Sequence, residues 1–206
     1  MHTYLYTIRH ARTTFSEEQR YAGTIDAPLS ARGIREAKVA AERLREVALD
    51  VVIPSTQTRA VDTARILVGD SVPMAPSPLC VERNYGALQG HTSFEAKRFK
   101  PKIMFVKVGG DTHSVNPPGA EPFENVRARA TKMRRFIFAR YRGSRVLVVS
   151  HSTFLQQFHG VLRGTNCVES LAEYVPTLRL TLFVFSGNRL IEERQIKLLD
   201  EERFEW

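Results

Sequence analysis

The segment Ile8-Arg9-His10-Ala11-Arg12 sets an imidazole between two guanidinium groups at the end of a short β-rich run. A neutral imidazole is a nucleophile, and arginine offers planar, paired donors that suit phosphoryl oxygens. A transferring phosphoryl group spreads charge over three equatorial oxygens, so an imidazole among arginines could accept one. Taken alone, a histidine after a strand is more often structural. Adjacent side chains on a continuing strand also point to opposite faces. A turn directly after the strand would let Arg9 and His10 converge.

Three other segments carry compatible chemistry. Ser55–Ala64 is a polar loop feeding a helix, with Arg59 in its first turn. A helix N-terminus attracts anions, although an arginine there is common on plain surfaces. Glu82–Gly90 is a Gly-punctuated loop containing Tyr85. Its carboxylate is ordinarily solvated, and held beside a leaving group it is a general acid. Val148–Thr153 brings a second histidine, His151, to the end of an apolar run. There Ser152 or Thr153 reads most simply as the cap of the next helix.

The elements that must position these residues follow from periodicity. Thr3–Ile8 reads as a strand, and Val51–Ile53 as another stopped by Pro54. Val146–Val149 is continuous apolar sequence, the pattern of a strand buried on both faces. Apolar residues recur at Ile34, Ala37, Ala41, Leu44 and Val47, which predicts a helix capped by Ser30. Further helices are expected over Thr58–Val68, Phe123–Tyr141 and Thr153–Leu162, with Ser93–Val106 helical up to Pro101. Gly109–Pro122 reads as loop from its glycines and prolines. Leu178–Ser186 and Leu190–Leu198 flank Gly187-Asn188, a hairpin turn. Alternating strands and helices predict an α/β fold, a three-layer αβα sandwich with a mostly parallel central sheet. In such sheets ligands sit at the carboxyl ends of the strands, where Arg9-His10 and Ser150-His151 fall.

The 206 residues suit one domain, expected over 1–206. No apolar stretch approaches a membrane span, and the N-terminus shows no leader pattern, so a cytoplasmic protein with no membrane role is expected. Cys80 and Cys167 fit neither a disulfide framework nor a zinc spacing, and no metal or cofactor is expected. The net charge of +8 favours anionic partners. The basic residues are scattered without interleaved aromatics, so a small phosphorylated substrate is expected and nucleic acid is not. A homodimer is only the base-rate expectation.

Together these blocks resemble the histidine phosphatase (phosphoglycerate mutase-like) superfamily over nearly the whole chain. That family opens with Arg-His-Gly, here Arg9-His10-Ala11. An acidic-x-Pro-Leu-Ser segment follows a glycine, here Gly23 through Gly33. Ser55–Ala64 matches its Ser-x-x-x-Arg-Ala-x-x-Thr-Ala, and Glu82–Gly90 its Glu-x-x-Tyr-Gly-x-x-x-Gly. Pro118-Gly119-Ala120-Glu121 matches the block before a long helix, and Val148–His151 the final strand and histidine. The resemblance implies a phosphohistidine on His10, with Arg9, Arg59 and His151 around the phosphoryl oxygens. It makes Glu82 the proton donor, with protonation linked to substrate arrival, and Ser16, Gly23, Tyr85, Ser152 and Thr153 substrate contacts. Ala11 and Ser152 stand where the family has glycine, and Ser16 where it usually has asparagine.

A metal-independent phosphomonoesterase is therefore expected. The alternatives are a cofactor-dependent phosphoglycerate mutase or a fructose-bisphosphatase-type sugar bisphosphatase. The mutases place a lysine just past the Glu82 loop, where this chain has Ser93, and carry paired arginines in a longer insertion. A phosphate-binding protein with weak catalysis and a nucleic-acid binder are the rival classes. Thr92–Pro122 is expected to cover the pocket mouth. Lys97, Arg98, Lys100, Lys102 and Lys107, with His91 and His113, would there either be solvated or hold a second negative group.

Overall fold

The computed structural model describes residues 1–199, so the end of the expected 1–206 domain lies outside the described residues. Its five-stranded sheet has the order β2-β5-β1-β6-β7, with β1 at His2–Arg9, β2 at Val51–Pro54, β5 at Arg145–Ser150, β6 at Arg179–Ser186 and β7 at Arg189–Lys197. β1 and β2 both pair parallel with β5, while β6 is antiparallel to its neighbours β1 and β7. Only β6 runs against the rest, so the sheet is mostly parallel, as expected. The β6–β7 hairpin turns at Gly187, whose φ of 61° suits a glycine in a tight turn.

Helices cover both faces. On one, α5 (Phe123–Arg140) and α6 (Ser152–Arg163) bury Val126, Met133, Ile137, Phe154 and Phe158 against Leu5, Val146, Val148 and Phe183. On the other, α2 (Ala31–Leu44) and α3 (Thr58–Val68) present Ala37, Ala40, Ala60 and Ala64 to Ile8, Val52, Leu147 and Val149. Alanines let helix and sheet approach closely, and the larger apolar side chains each contribute roughly 1.5–3 kcal/mol by leaving water. Because β5 is covered on both sides, it tolerates the unbroken Val146–Val149 run. Ser30 caps α2 by accepting from Gly33 N at 3.0 Å, as its position predicts.

Two expectations fail between residues 93 and 122. The helix is a single turn, α4 at Ser93–Ala96, and the stretch read as loop holds a strand. β3 (Phe105–Val108) and β4 (Asp111–Ser114) form a hairpin across Gly109-Gly110. A two-residue Gly-Gly connection is itself a hairpin signal, and it was outweighed by the nearby prolines. A short helix α1 (Thr14–Glu17) follows the first strand. No helix among the described residues is long and apolar enough to cross a membrane.

Candidate functional site

The parallel register of β1 on β5 decides where the two histidines meet. Ile8 is level with Val149 and Arg9 with Ser150, and His10 N donates to Ser150 O at 2.9 Å. Adjacent strands lie about 4.8 Å apart, so residues leaving them in register emerge side by side. The His10 and His151 rings accordingly sit 5.0 Å apart, both buried. β2 ends at the same edge, and Ser55 N continues the ladder onto Val149 O at 2.9 Å, delivering the start of α3 and Arg59.

His10 Nδ1 lies 2.7 Å from the Ala11 carbonyl. A carbonyl only accepts, so Nδ1 carries the hydrogen and Nε2 of the neutral ring keeps its lone pair. Burial, then the charges of Arg59 and Arg9, hold the His10 imidazole well below its usual range, against a small opposing effect of the Ala11 bond. His151 is lowered by the same burial and then by His10, Arg59 and Arg9. The neighbouring Ala11 is fixed through its N–H, which donates to Thr63 Oγ1 at 3.1 Å.

Arg59 is nearly inaccessible to solvent, yet its guanidinium is pinned by carbonyls. Nη1 donates to Ile25 O at 2.8 Å and Nη2 to Gly23 O at 2.7 Å. Gly23 has φ of 54°, a left-handed conformation that strains a residue with a side chain, so glycine suits the turn that presents that carbonyl. Arg9 Nη1 donates to Val175 O at 2.9 Å. The buried Nε atoms of Arg9 and Arg59, and both ring nitrogens of His151, have no hydrogen-bond partner among the described residues. Buried polar groups normally find partners, and charged donors most of all. An anion bound there could accept from the two arginine Nε–H groups and from the one N–H of a neutral His151 ring.

Glu82 is the cap of α6. Its Oε1 accepts from Arg83 N at 2.8 Å and Phe154 N at 3.1 Å, and its Oε2 from Thr153 N at 3.3 Å. Neither Ser152 nor Thr153 caps its own helix, because a carboxylate at a helix N-terminus meets both the free N–H groups and the dipole. Thr153 Oγ1 instead pairs with Tyr85 OH at 2.7 Å. Burial, then the Glu82 charge, pushes the Tyr85 phenol upward.

Arg9, His10, Ser16, Gly23, Arg59, Glu82, Tyr85 and Ser152 line one cavity of about 150 Å³. His151 stands against it through His10, and Thr153 lines an adjoining cavity of about 250 Å³ that shares Arg9, Tyr21, Tyr85 and Ser152 with the first. Ser16 is less available than its position implied. Its Oγ donates to Thr13 O at 2.8 Å and accepts from Thr13 N at 2.8 Å, closing a capping box on α1. Lys97, Arg98, Lys100, Lys102 and Lys107 are exposed, and none lines either cavity.

The sequence reading passed over Gln57, Arg83 and Arg20. Gln57 ties the site together, donating from Nε2 to Gly23 O at 2.9 Å and accepting Glu82 N on Oε1 at 2.9 Å. Arg83 is buried, stacks 3.8 Å over Phe123 and donates to Ser114 O and Glu121 O at 2.7 Å. Arg20 lines the first cavity with Nε on Glu18 at 2.7 Å. For Gln57 and Arg83 only their neighbourhood to a motif could have drawn notice, since their partners lie 25 to 38 positions away in sequence. Among the described residues no group of three or more His, Cys, Asp or Glu could hold a metal ion.

A mostly parallel sheet with histidines at the carboxyl ends of two adjacent strands and arginines around them defines a histidine phosphatase fold. The histidine phosphatase superfamily (branch 1) family model matches residues 5–195, and the chain belongs to that superfamily of enzymes. The chain is 37% identical over 156 residues to the bifunctional protein Rv2228c of Mycobacterium tuberculosis. That match covers 73% of this chain and 42% of the length of Rv2228c. It is 29% identical to 2,3-bisphosphoglycerate-dependent phosphoglycerate mutase 1 of Gloeobacter violaceus, covering 86% of this chain and 89% of the mutase. Bacillus stearothermophilus YhfR superposes with a TM-score of 0.79 at 25% identity, covering 92% of this chain and 94% of YhfR.

Proposed function

We propose that this chain hydrolyses phosphomonoesters without a metal ion, through a phosphohistidine on His10. One observation carries the reading. The Nδ1–H bond to Ala11 leaves Nε2 as the only ring nitrogen with a free lone pair, on a residue that lines one cavity together with Arg9 and Arg59.

In the first step the His10 Nε2–P bond forms as the ester P–O bond breaks, and Glu82 gives its proton to the departing alkoxide. In the second, a water oxygen attacks phosphorus, the N–P bond breaks and Glu82 takes the water proton. Arg9, Arg59 and His151 meet the equatorial oxygens. These groups are positioned before substrate arrives, so little reorganisation is left to the reaction itself. Glu82 suits its role because Oε1 is committed to two N–H donors while Oε2 accepts one longer bond. Oε2 is therefore the oxygen left to exchange a proton.

A mutase reading has the Gloeobacter similarity behind it, and it requires that the phosphohistidine be shielded from water until a second acceptor binds. The test is release of p-nitrophenol and inorganic phosphate from p-nitrophenyl phosphate by EDTA-treated protein. Hydrolysis should survive EDTA and fall by about 10³-fold or more in His10→Ala. Loss of activity on EDTA treatment, or an active His10→Ala variant, would overturn the reading.

A further inference from the structure

The second cavity opens beside the first and is closed on its far side by the β3–β4 hairpin, through Asp111, His113 and Ser114. Gln156 of α6 and Tyr174 complete its wall. We infer that this cavity receives the leaving group and selects uncharged, polyhydroxylated alcohols over leaving groups that carry a second phosphate or carboxylate. The inference rests on the hydrolase reading above and names its substrate class.

Charge is the first argument. Apart from the shared Arg9, the cavity brings one cation, Arg83, and one carboxylate, Asp111. Arg83 is already held by the carbonyls of Ser114 and Glu121 and stacked on Phe123. The basic residues of 92–122 lie elsewhere on the surface. A second anion would therefore meet a carboxylate and no uncommitted lysine, and an anion leaves water at high cost unless it is paired. The Asp111 charge reaches the shared wall, where it adds to burial in raising the Tyr21 phenol.

Hydrogen bonding is the second. Gln156 Nε2 donates to Glu173 O at 2.7 Å, which fixes the amide orientation and leaves Oε1 buried with no partner among the described residues. Ser114 Oγ is likewise buried and unpartnered. Alcohol hydroxyls both donate and accept, so they can satisfy an amide oxygen, a serine hydroxyl and the Asp111 carboxylate. A carboxylate or phosphate dianion only accepts and would leave Oε1 unsatisfied. Tyr21, Tyr85 and Tyr174 supply flat apolar faces for the C–H surface of a sugar or polyol.

The experiment compares kcat/KM of the full chain for glucose 6-phosphate and glycerol 1-phosphate with that for 3-phosphoglycerate, phosphoserine and fructose 1,6-bisphosphate. p-Nitrophenyl phosphate serves as the phosphatase control. The polyol monoesters should lead by about tenfold or more, the scale of discrimination available to a pocket built for hydroxyl groups. Asp111→Asn should shrink the ratio by raising kcat/KM for the charged esters. Gln156→Leu should shrink it by raising KM for the polyol esters. Because the readout is a ratio, a general loss of activity cancels. A preference for the charged esters, or a ratio unmoved by both variants, overturns the pocket assignment while p-nitrophenyl phosphate turnover leaves the hydrolase reading standing. Failure to turn over p-nitrophenyl phosphate as well overturns both.

Discussion

The Nδ1 nitrogen of His10 donates to the carbonyl of Ala11 at 2.7 Å, and that one bond leaves Nε2 as the ring nitrogen with a free lone pair. Ala11 is in turn held by Thr63, whose Oγ1 accepts from Ala11 N and donates to Arg59 O at 2.7 Å. His10 and Arg59 thus share one hydrogen-bonded strap between the end of β1 and the first turns of α3. Ala11 is wholly buried, its methyl group in the cluster where the alanines of α2 and α3 meet the sheet.

The acidic limb of the rate profile should lie well below pH 6.5. Burial, then Arg59 and Arg9, lower the His10 pKa from 6.5, so the neutral, nucleophilic form persists as the pH falls through that value. Arg59→Gln removes one of the two charges and should move the limb upward. The shift is incomplete, because burial remains. The pH dependence of kcat/KM for wild type and variant checks this. A wild-type limb at or above 6.5 assigned to His10 would contradict it.

Replacing Glu82 with glutamine should separate good leaving groups from poor ones. An amide keeps an acceptor for the N-terminal N–H groups of α6 and loses the transferable proton. Turnover of alkyl phosphates should fall by about 10²–10⁴-fold. p-Nitrophenolate departs without protonation, so its ester should suffer far less. Steady-state kinetics on both substrates read the difference, and equal losses would remove Glu82 from proton transfer.

Much of this arrangement was legible in the sequence, and the reasons differ by residue. Val146–Val149 is apolar without a break, so a doubly covered strand ending at His151 could be read directly. Helix α3 appears with its expected ends because Pro54 and Gly69 bracket it. The β3–β4 hairpin was hidden because β3 is mostly exposed and the buried end of β4 is the polar pair His113-Ser114, so neither strand shows an apolar alternation. The capping of α6 by Glu82 was hidden for another reason. It joins residues more than seventy positions apart, and sequence spacing carries no record of such contacts. Of the two readings of the basic residues of 92–122, the structure shows the solvated one, which charge alone could not choose because it carries no direction.

A third expectation concerns stability. Glu173 joins His159 Nδ1 at 2.9 Å and Arg163 Nη1 at 2.6 Å, just ahead of the Val175 carbonyl that holds Arg9. Burial pushes its carboxyl up, and the His159 and Arg163 interactions outweigh that and bring it down to about 2. A lowered carboxyl means that the unfolded chain binds more protons. The stabilisation is complete above the ordinary value of 4.5 and is lost as the pH falls from there towards about 2. Glu173→Gln should cost on the order of 2–3 kcal/mol at neutral pH, and the gap to wild type should close in acid. Urea midpoints at several pH values measure it. A gap that does not change with pH would contradict the linkage.

The central claim is a covalent bond from phosphorus to His10, and rapid quenching during turnover of phosphate-labelled substrate tests it most directly. The account predicts a transient, acid-labile phosphate on the peptide containing His10, which forms before the steady state and decays at the rate of phosphate release. A burst of alcohol with no protein-bound phosphate, or phosphate found on another residue, would contradict it.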